Sequence, residues 1–131
     1  MTKLEIKTKE SQSFTDITDK INALIKESET ENGICVLWVP HTTAGITVSE
    51  NADPDVLADM YLTYNKNFPK RREYLHAEGN SDAHFKSIIT GPSLTCIIEN
   101  GKLALGIWQA IYFCEFDGPR TRKVFIEIIS R

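Results

Sequence analysis

Apolar positions along the first third of the chain change their period twice. Leu4 and Ile6 alternate with Lys3, Glu5 and Lys7, which predicts a half-exposed strand over residues 3 to 8. After Ser13 the apolar residues Phe14, Ile17, Ile21, Leu24 and Ile25 recur at helical spacing and predict an amphipathic helix of about three turns. Asp16, Asp19, Lys20, Lys26 and Glu27 fall on its solvent face, and Asn32-Gly33 stops it. Ile34 to Val39 is then apolar at every position. That run is too short for a buried helix and rich in β-formers, so it predicts a central strand covered on both faces. Pro40, lacking a backbone donor, ends the ladder.

Ile46-Thr47-Val48 restores alternation. Asp53 followed by Pro54 marks a helix start, with Asp53 as the cap and Val56, Leu57, Met60, Tyr61 and Tyr64 as its apolar face. The stretch from Asn65 to Tyr74 is basic and contains Pro69, which predicts a surface loop, either merely solvated or steering an anionic ligand. Phe85, Ile88 and Ile89 predict a helix directly after the polar run His76 to His84, and Gly91-Pro92 breaks it. Leu94 to Glu99 reads as a strand, and Asn100-Gly101 as a tight hairpin turn needing positive φ at both central positions. The chain returns from Lys102 to Ile107 and runs on through the apolar stretch Trp108 to Phe116. It turns at Asp117-Gly118-Pro119 and ends in a strand around Val124, Ile126 and Ile128. Strands joined by tight turns, with a few helices, predict an α+β fold: a small antiparallel sheet-on-sheet core with flanking helices.

The length, 131 residues, suits a single domain covering residues 1–131 and is well short of the roughly 200 residues of a (β/α)8 barrel. Net charge is −3 with basic residues scattered, so neither nucleic acid nor an anionic membrane surface is an expected partner. Without a long apolar run or an N-terminal leader pattern, the expectation is a soluble, cytoplasmic protein. Cys35, Cys96 and Cys114 each sit within apolar runs and lack C-x-x-C spacing. They read as buried reduced thiols rather than as a zinc cluster.

Candidate chemistry concentrates in two segments. His76-Ala77-Glu78-Gly79-Asn80-Ser81-Asp82-Ala83-His84 gathers imidazoles, carboxylates, an amide and a hydroxyl where a loop enters a helix, and a helix start presents free N–H groups to an anion. His41, Thr42 and Thr43 follow the apolar strand. They either line a polar pocket or serve a turn through backbone hydrogen bonds. His41, His76 and His84 are the chain's only histidines. Together they would make a three-imidazole site for a divalent metal ion, zinc or magnesium; otherwise they are polar pocket residues. Glu50 and Asn51 precede the cap of the second helix without a capping role and are free to face the site. Glu115 interrupts a buried-looking strand and needs a partner. That partner is either Arg120 or Arg122 in an ion pair, or a metal-bound histidine that Glu115 orients while the arginines hold a phosphate.

Pro40 to Val48, Glu50 to Asp55, His76 with Glu78 to His84, and Gly106 with Trp108-Gln109 and Phe113 to Arg120 resemble the YjbQ family in order and spacing. The resemblance implies a homotrimer of small α+β subunits with secondary thiamine-phosphate synthase activity. That reaction joins a pyrimidine diphosphate to a thiazole phosphate and releases pyrophosphate. It further implies functional roles for His41, Thr42, Thr43, Asn51, His76, Asn80, His84, Gln109 and Glu115. The expected assignments are then a metal on His41, His76 and His84; a phosphorylated small molecule on Thr42, Thr43, Asn51, Asn80, Ser81, Gln109 and Arg120; and catalysis by Glu115, His84 and Arg120. A non-catalytic binding or sensor module for a phosphorylated metabolite would need the same pocket.

Overall fold

The computed structural model describes residues 1–131. The chain runs β1 (Thr2–Lys7), β2 (Ser13–Asp16), α1 (Thr18–Glu27), β3 (Gly33–Trp38), β4 (Ala44–Glu50), α2 (Pro54–Asn67), α3 (Ser81–Thr90), β5 (Ser93–Glu99), β6 (Lys102–Leu103), β7 (Gln109–Glu115) and β8 (Thr121–Ser130). Its strands form two antiparallel sheets, ordered β1-β8-β3-β5-β6 and β2-β7-β4.

The larger core lies between the sheets. Cys35 and Leu37 of β3, Val124 and Ile126 of β8, Ile46 of β4 and Ile111 and Phe113 of β7 meet there with Ile17, Ile21 and Ile25 from the α1 segment. A second cluster fills the opposite face of the three-stranded sheet: Phe14, Ala110, Tyr112, Cys114 and Phe116 pack with Ala83 of α3 and with Leu57, Met60, Tyr61 and Tyr64 of α2. The order of layers is therefore sheet, sheet, helices. Full burial of one large apolar side chain is worth roughly 1.5–3 kcal/mol, so the doubly covered β7 anchors both clusters.

These layers revise two expectations. The strand covered on both faces is β7, buried from Ala110 to Glu115, whereas β3 alternates and leaves Ile34 and Trp38 exposed. The helical spacing expected from Phe14 onward is split. Ser13 to Asp16 pair with β7, and the helix starts at Thr18, whose N–H donates to Asp16 Oδ1 at 2.9 Å. Phe14 suits either period, and the ladder with β7 decides between them.

Other signals hold. Asp53 caps α2 by accepting from Asp55 N–H at 2.9 Å, with Pro54 in the first turn. Asn100 and Gly101 both take positive φ, 52° and 75°, in the β5–β6 hairpin. The strand expected up to Ile107 ends at Leu103. Gly45 has no room for a side chain, since a Cβ there would lie 2.9 Å from Gly91 O. This close approach seats the end of α3 on β4.

Across the outer face of the five-stranded sheet, Ile97, Ile34 and Ile129 stand side by side, all exposed. No helix is long and apolar enough to cross a membrane. All three cysteines are free and buried, and burial pushes the Cys35 thiol up to about 12.

Candidate functional site

Ten residues converge on a cavity of about 410 Å³ at one end of the sandwich: Pro40, His41, Thr42, Thr43, His76, Glu78, Asn80, His84, Arg120 and Arg122. They come from the β3–β4 turn, the segment before α3, the first turn of α3, the β7–β8 connection and the start of β8. The two polar segments are thus two walls of one pocket. Of the expected residues, His41, Thr42, Thr43, His76, Asn80, His84 and Arg120 line it.

The remaining ones are held elsewhere. Glu115 is completely buried behind the pocket. Its Oε2 accepts from Arg122 Nε at 2.8 Å and from the Thr8 hydroxyl at 2.9 Å, while Oε1 accepts from Arg122 Nη2 and from Asp117 N–H at 2.9 Å. Burial alone would raise this carboxyl. The hydrogen bonds from Arg122, Asp117 and Thr8 outweigh it and hold Glu115 below the usual carboxylate range. An acid so placed is a strut, with no free lone pair directed at a substrate. Asn51 and Gln109 are exposed at the far end of the β4–β7 ladder: Asn51 donates to Asp16 at 3.2 Å and Gln109 accepts from Gly106 N–H at 2.8 Å. Ser81 opens α3 without lining the cavity.

Arg122, expected as an ion-pair partner of Glu115 or as a holder of phosphate, pairs with Glu115 and itself lines the cavity. Only 4 % exposed, it joins Glu115 to the β3–β4 turn by donating from Nη2 to Thr43 Oγ1 at 2.8 Å. The signal was present in the alternation: Arg122 shares the inward phase of Val124 and Ile126, and Glu115 that of Ile111 and Phe113. Thr8, which also receives Arg120 N–H at 2.8 Å, gave no such signal.

Asn80 stands at the start of α3 but does not cap it with its side chain. Its Nδ2 donates to Asp117 Oδ2 at 2.7 Å, and the same oxygen accepts from Arg120 Nη2 at 2.9 Å. Asn80 Oδ1 is buried with no partner, an orphan acceptor at the pocket wall. The Asn80 carbonyl accepts from Ala83 N–H and His84 N–H, at 3.0 and 3.2 Å.

The imidazoles divide into a pair and a single. His76 and His84 lie with ring centroids 5.3 Å apart, nearly perpendicular. Two histidines on one tetrahedral ion, with metal–nitrogen bonds of about 2.1 Å, would put their centroids roughly 5 Å apart, a spacing shared with two rings in plain edge contact. His41 does not fit as it stands, because its Nε2 accepts from Lys123 N–H at 2.9 Å. Its Nδ1 then carries the proton of the neutral ring, and no lone pair remains for a metal. Burial, aided by the Arg122 charge, lowers the His41 pKa and keeps that ring neutral. No three His, Cys, Asp or Glu side chains stand together as a complete ligand set.

Fold and pocket define a small α+β protein of two packed antiparallel sheets, with a cationic, histidine-bearing cavity at the head of one helix. The chain belongs to the family described as UPF0047 protein YjbQ-like, whose model matches residues 2–131. It is 50% identical over 128 residues to a UPF0047 protein of Methanocaldococcus jannaschii, covering 98% of this chain and 93% of that one. It is also 48% identical over 128 residues to the UPF0047 protein YugU of Bacillus subtilis, covering 97% of each. Among solved structures, a YjbQ/UPF0047 family protein of Clostridium acetobutylicum superposes with TM-score 0.94 at 52% identity, covering 98% of this chain and 100% of that one. A conserved hypothetical protein of Thermus thermophilus superposes with TM-score 0.92 at 41% identity, with coverage of 98% and 100%.

Proposed function

We propose that the pocket is the active site of a metal-dependent enzyme acting on phosphorylated small molecules, with thiamine-phosphate synthase activity as a secondary reaction. The observation that carries this reading is the His76–His84 pair, with ring centroids 5.3 Å apart, beside Arg120 and the start of α3. His76 and His84 would hold zinc or magnesium, and His41 joins them only by giving up its bond from Lys123. Such a cation supplies Lewis-acid stabilisation of charge on phosphoryl oxygens. Arg120 donates to Asp117 through Nε and Nη2, which leaves Nη1 for a phosphate oxygen. The first amides of α3 favour negative charge at the same place. Thr42 is exposed at the rim, and Thr43, fixed by Arg122, has its hydroxyl proton for the ligand.

Purified protein is mixed with the pyrimidine diphosphate, the thiazole phosphate and a panel of divalent cations, and thiamine phosphate is followed by chromatography. Product above a His84→Ala control is expected. Product never exceeding that control, with every cation tried, overturns the synthase reading.

A second reading, a non-catalytic binding module for a phosphorylated metabolite, is favoured by the sealing of Glu115, the acid expected to serve as base. Saturable phosphate binding without product would select it. For assembly we propose a homotrimer in which the exposed row Ile97, Ile34 and Ile129 is covered by neighbouring copies. Reduced thiols accord with a cytoplasmic location.

A further inference from the structure

Beyond the histidine pocket, on the other side of Asn80, lies a separate recess of about 290 Å³ that none of the roles above uses. Lys86 forms part of its wall and is 5 % exposed, a rare state for a lysine. An ammonium has three hydrogens to place. Lys86 Nζ donates to Gln12 Oε1 and to Asn65 Oδ1, each at 2.8 Å. Both of those acceptors are neutral. The one nearby carboxylate oxygen, Asp82 Oδ2, stands at 4.0 Å, beyond hydrogen-bond distance, so the third hydrogen is free.

A second donor is also without a partner. Gln12 Nε2 is buried and bonded to nothing, because the amide has turned its oxygen to Lys86. Lys86 and Lys70 face the recess together with Asp82 and Asp117, and the Asp117 carboxylate is bonded by Asn80 and Arg120. The two unmatched donors, one of them an ammonium, call for an anion. The orphan acceptor Asn80 Oδ1, on the wall shared with the histidine pocket, selects among anions: a protonated phosphate oxygen satisfies it and a carboxylate does not.

We propose that this recess is a second anion subsite, built for a phosphate group and distinct from the histidine pocket. Asn80 separates the two, so one chain holds two anionic groups on either side of the start of α3. The proposal does not depend on the chemistry assigned to the histidines.

The test is a calorimetric titration of the intact protein with inorganic phosphate, with acetate as the comparison. Two phosphate-binding events are expected, and acetate should bind more weakly. Lys86→Met should abolish one of two phosphate-binding events while Arg120→Ala abolishes the other, with circular dichroism confirming that each variant is folded. If Lys86→Met does not fold, Gln12→Met replaces it and should weaken the same event about tenfold, the loss of a hydrogen bond to a charged group. Phosphate binding that Lys86→Met leaves unchanged overturns the subsite and makes Lys86 a structural strut. If the Lys86 event persists while no phosphate binds at Arg120, the subsite stands and the histidine-pocket reading fails.

Discussion

Arg122 and Glu115 meet as a buried ion pair that closes the inter-sheet core directly beneath the histidine pocket. The pair fixes the pocket floor from both sides: Glu115 gathers Thr8 and the Asp117 amide, and Arg122 reaches Thr43. Removing one partner strands the other charge in the interior, which costs about 3–5 kcal/mol. Glu115→Ala and Arg122→Met should each lower the unfolding free energy from urea denaturation by that amount, and the double variant Glu115→Leu/Arg122→Met should recover much of the loss. A Glu115→Ala protein as stable as the parent, but inactive, would restore Glu115 as a catalytic group.

Acid stability should fall in two steps. His41 has a folded pKa below its ordinary 6.5, lowered by burial and by Arg122. Protonation therefore favours the unfolded chain: the contribution is full above 6.5 and declines as pH falls from there through the folded value. Glu115, also held below its ordinary 4.5, adds a separate loss below that pH. Urea midpoints measured against pH should show both steps, and His41→Ala should remove only the upper one.

The histidine pair predicts unequal roles in metal binding. His76→Ala and His84→Ala should each abolish zinc binding measured by titration calorimetry. His41→Ala should weaken it less, because that ring is engaged with Lys123. Equal losses from all three would mean that His41 leaves Lys123 to complete the site.

Arg120→Ala should depress turnover by about 100-fold or more, the usual effect of losing one charge-stabilising donor. The thermal midpoint should scarcely move, since Arg120 is exposed and its ion pair with Asp117 lies at the surface.

Assembly should depend on the outer sheet face. Ile97→Lys, placed in the exposed row with Ile34 and Ile129, should yield monomers in sedimentation equilibrium while the parent sediments as a trimer. A parent that is monomeric at micromolar concentration removes the trimer.

Local chemistry made much of this molecule legible in the sequence. Asp53-Pro54 and Asn100-Gly101 act within a few residues of themselves, so cap and turn form as expected. The polar segments around His41 and His76–His84 stood out because nothing in a core needs such residues, and they do share a pocket. What the tertiary structure decided involves partners far apart in the chain. Phe14 joined a strand because β7 offered it a ladder, and β7 rather than β3 gained two covered faces because α2 and α3 pack on the smaller sheet. Glu115 became a strut through Thr8, 107 positions away, and His41 gave its lone pair to Lys123, 82 positions away. Spacing along a chain encodes periodicity and local caps. Which charge finds which partner depends on how the layers stack, because hydrogen bonds and ion pairs are decided within a few ångströms of space rather than of sequence.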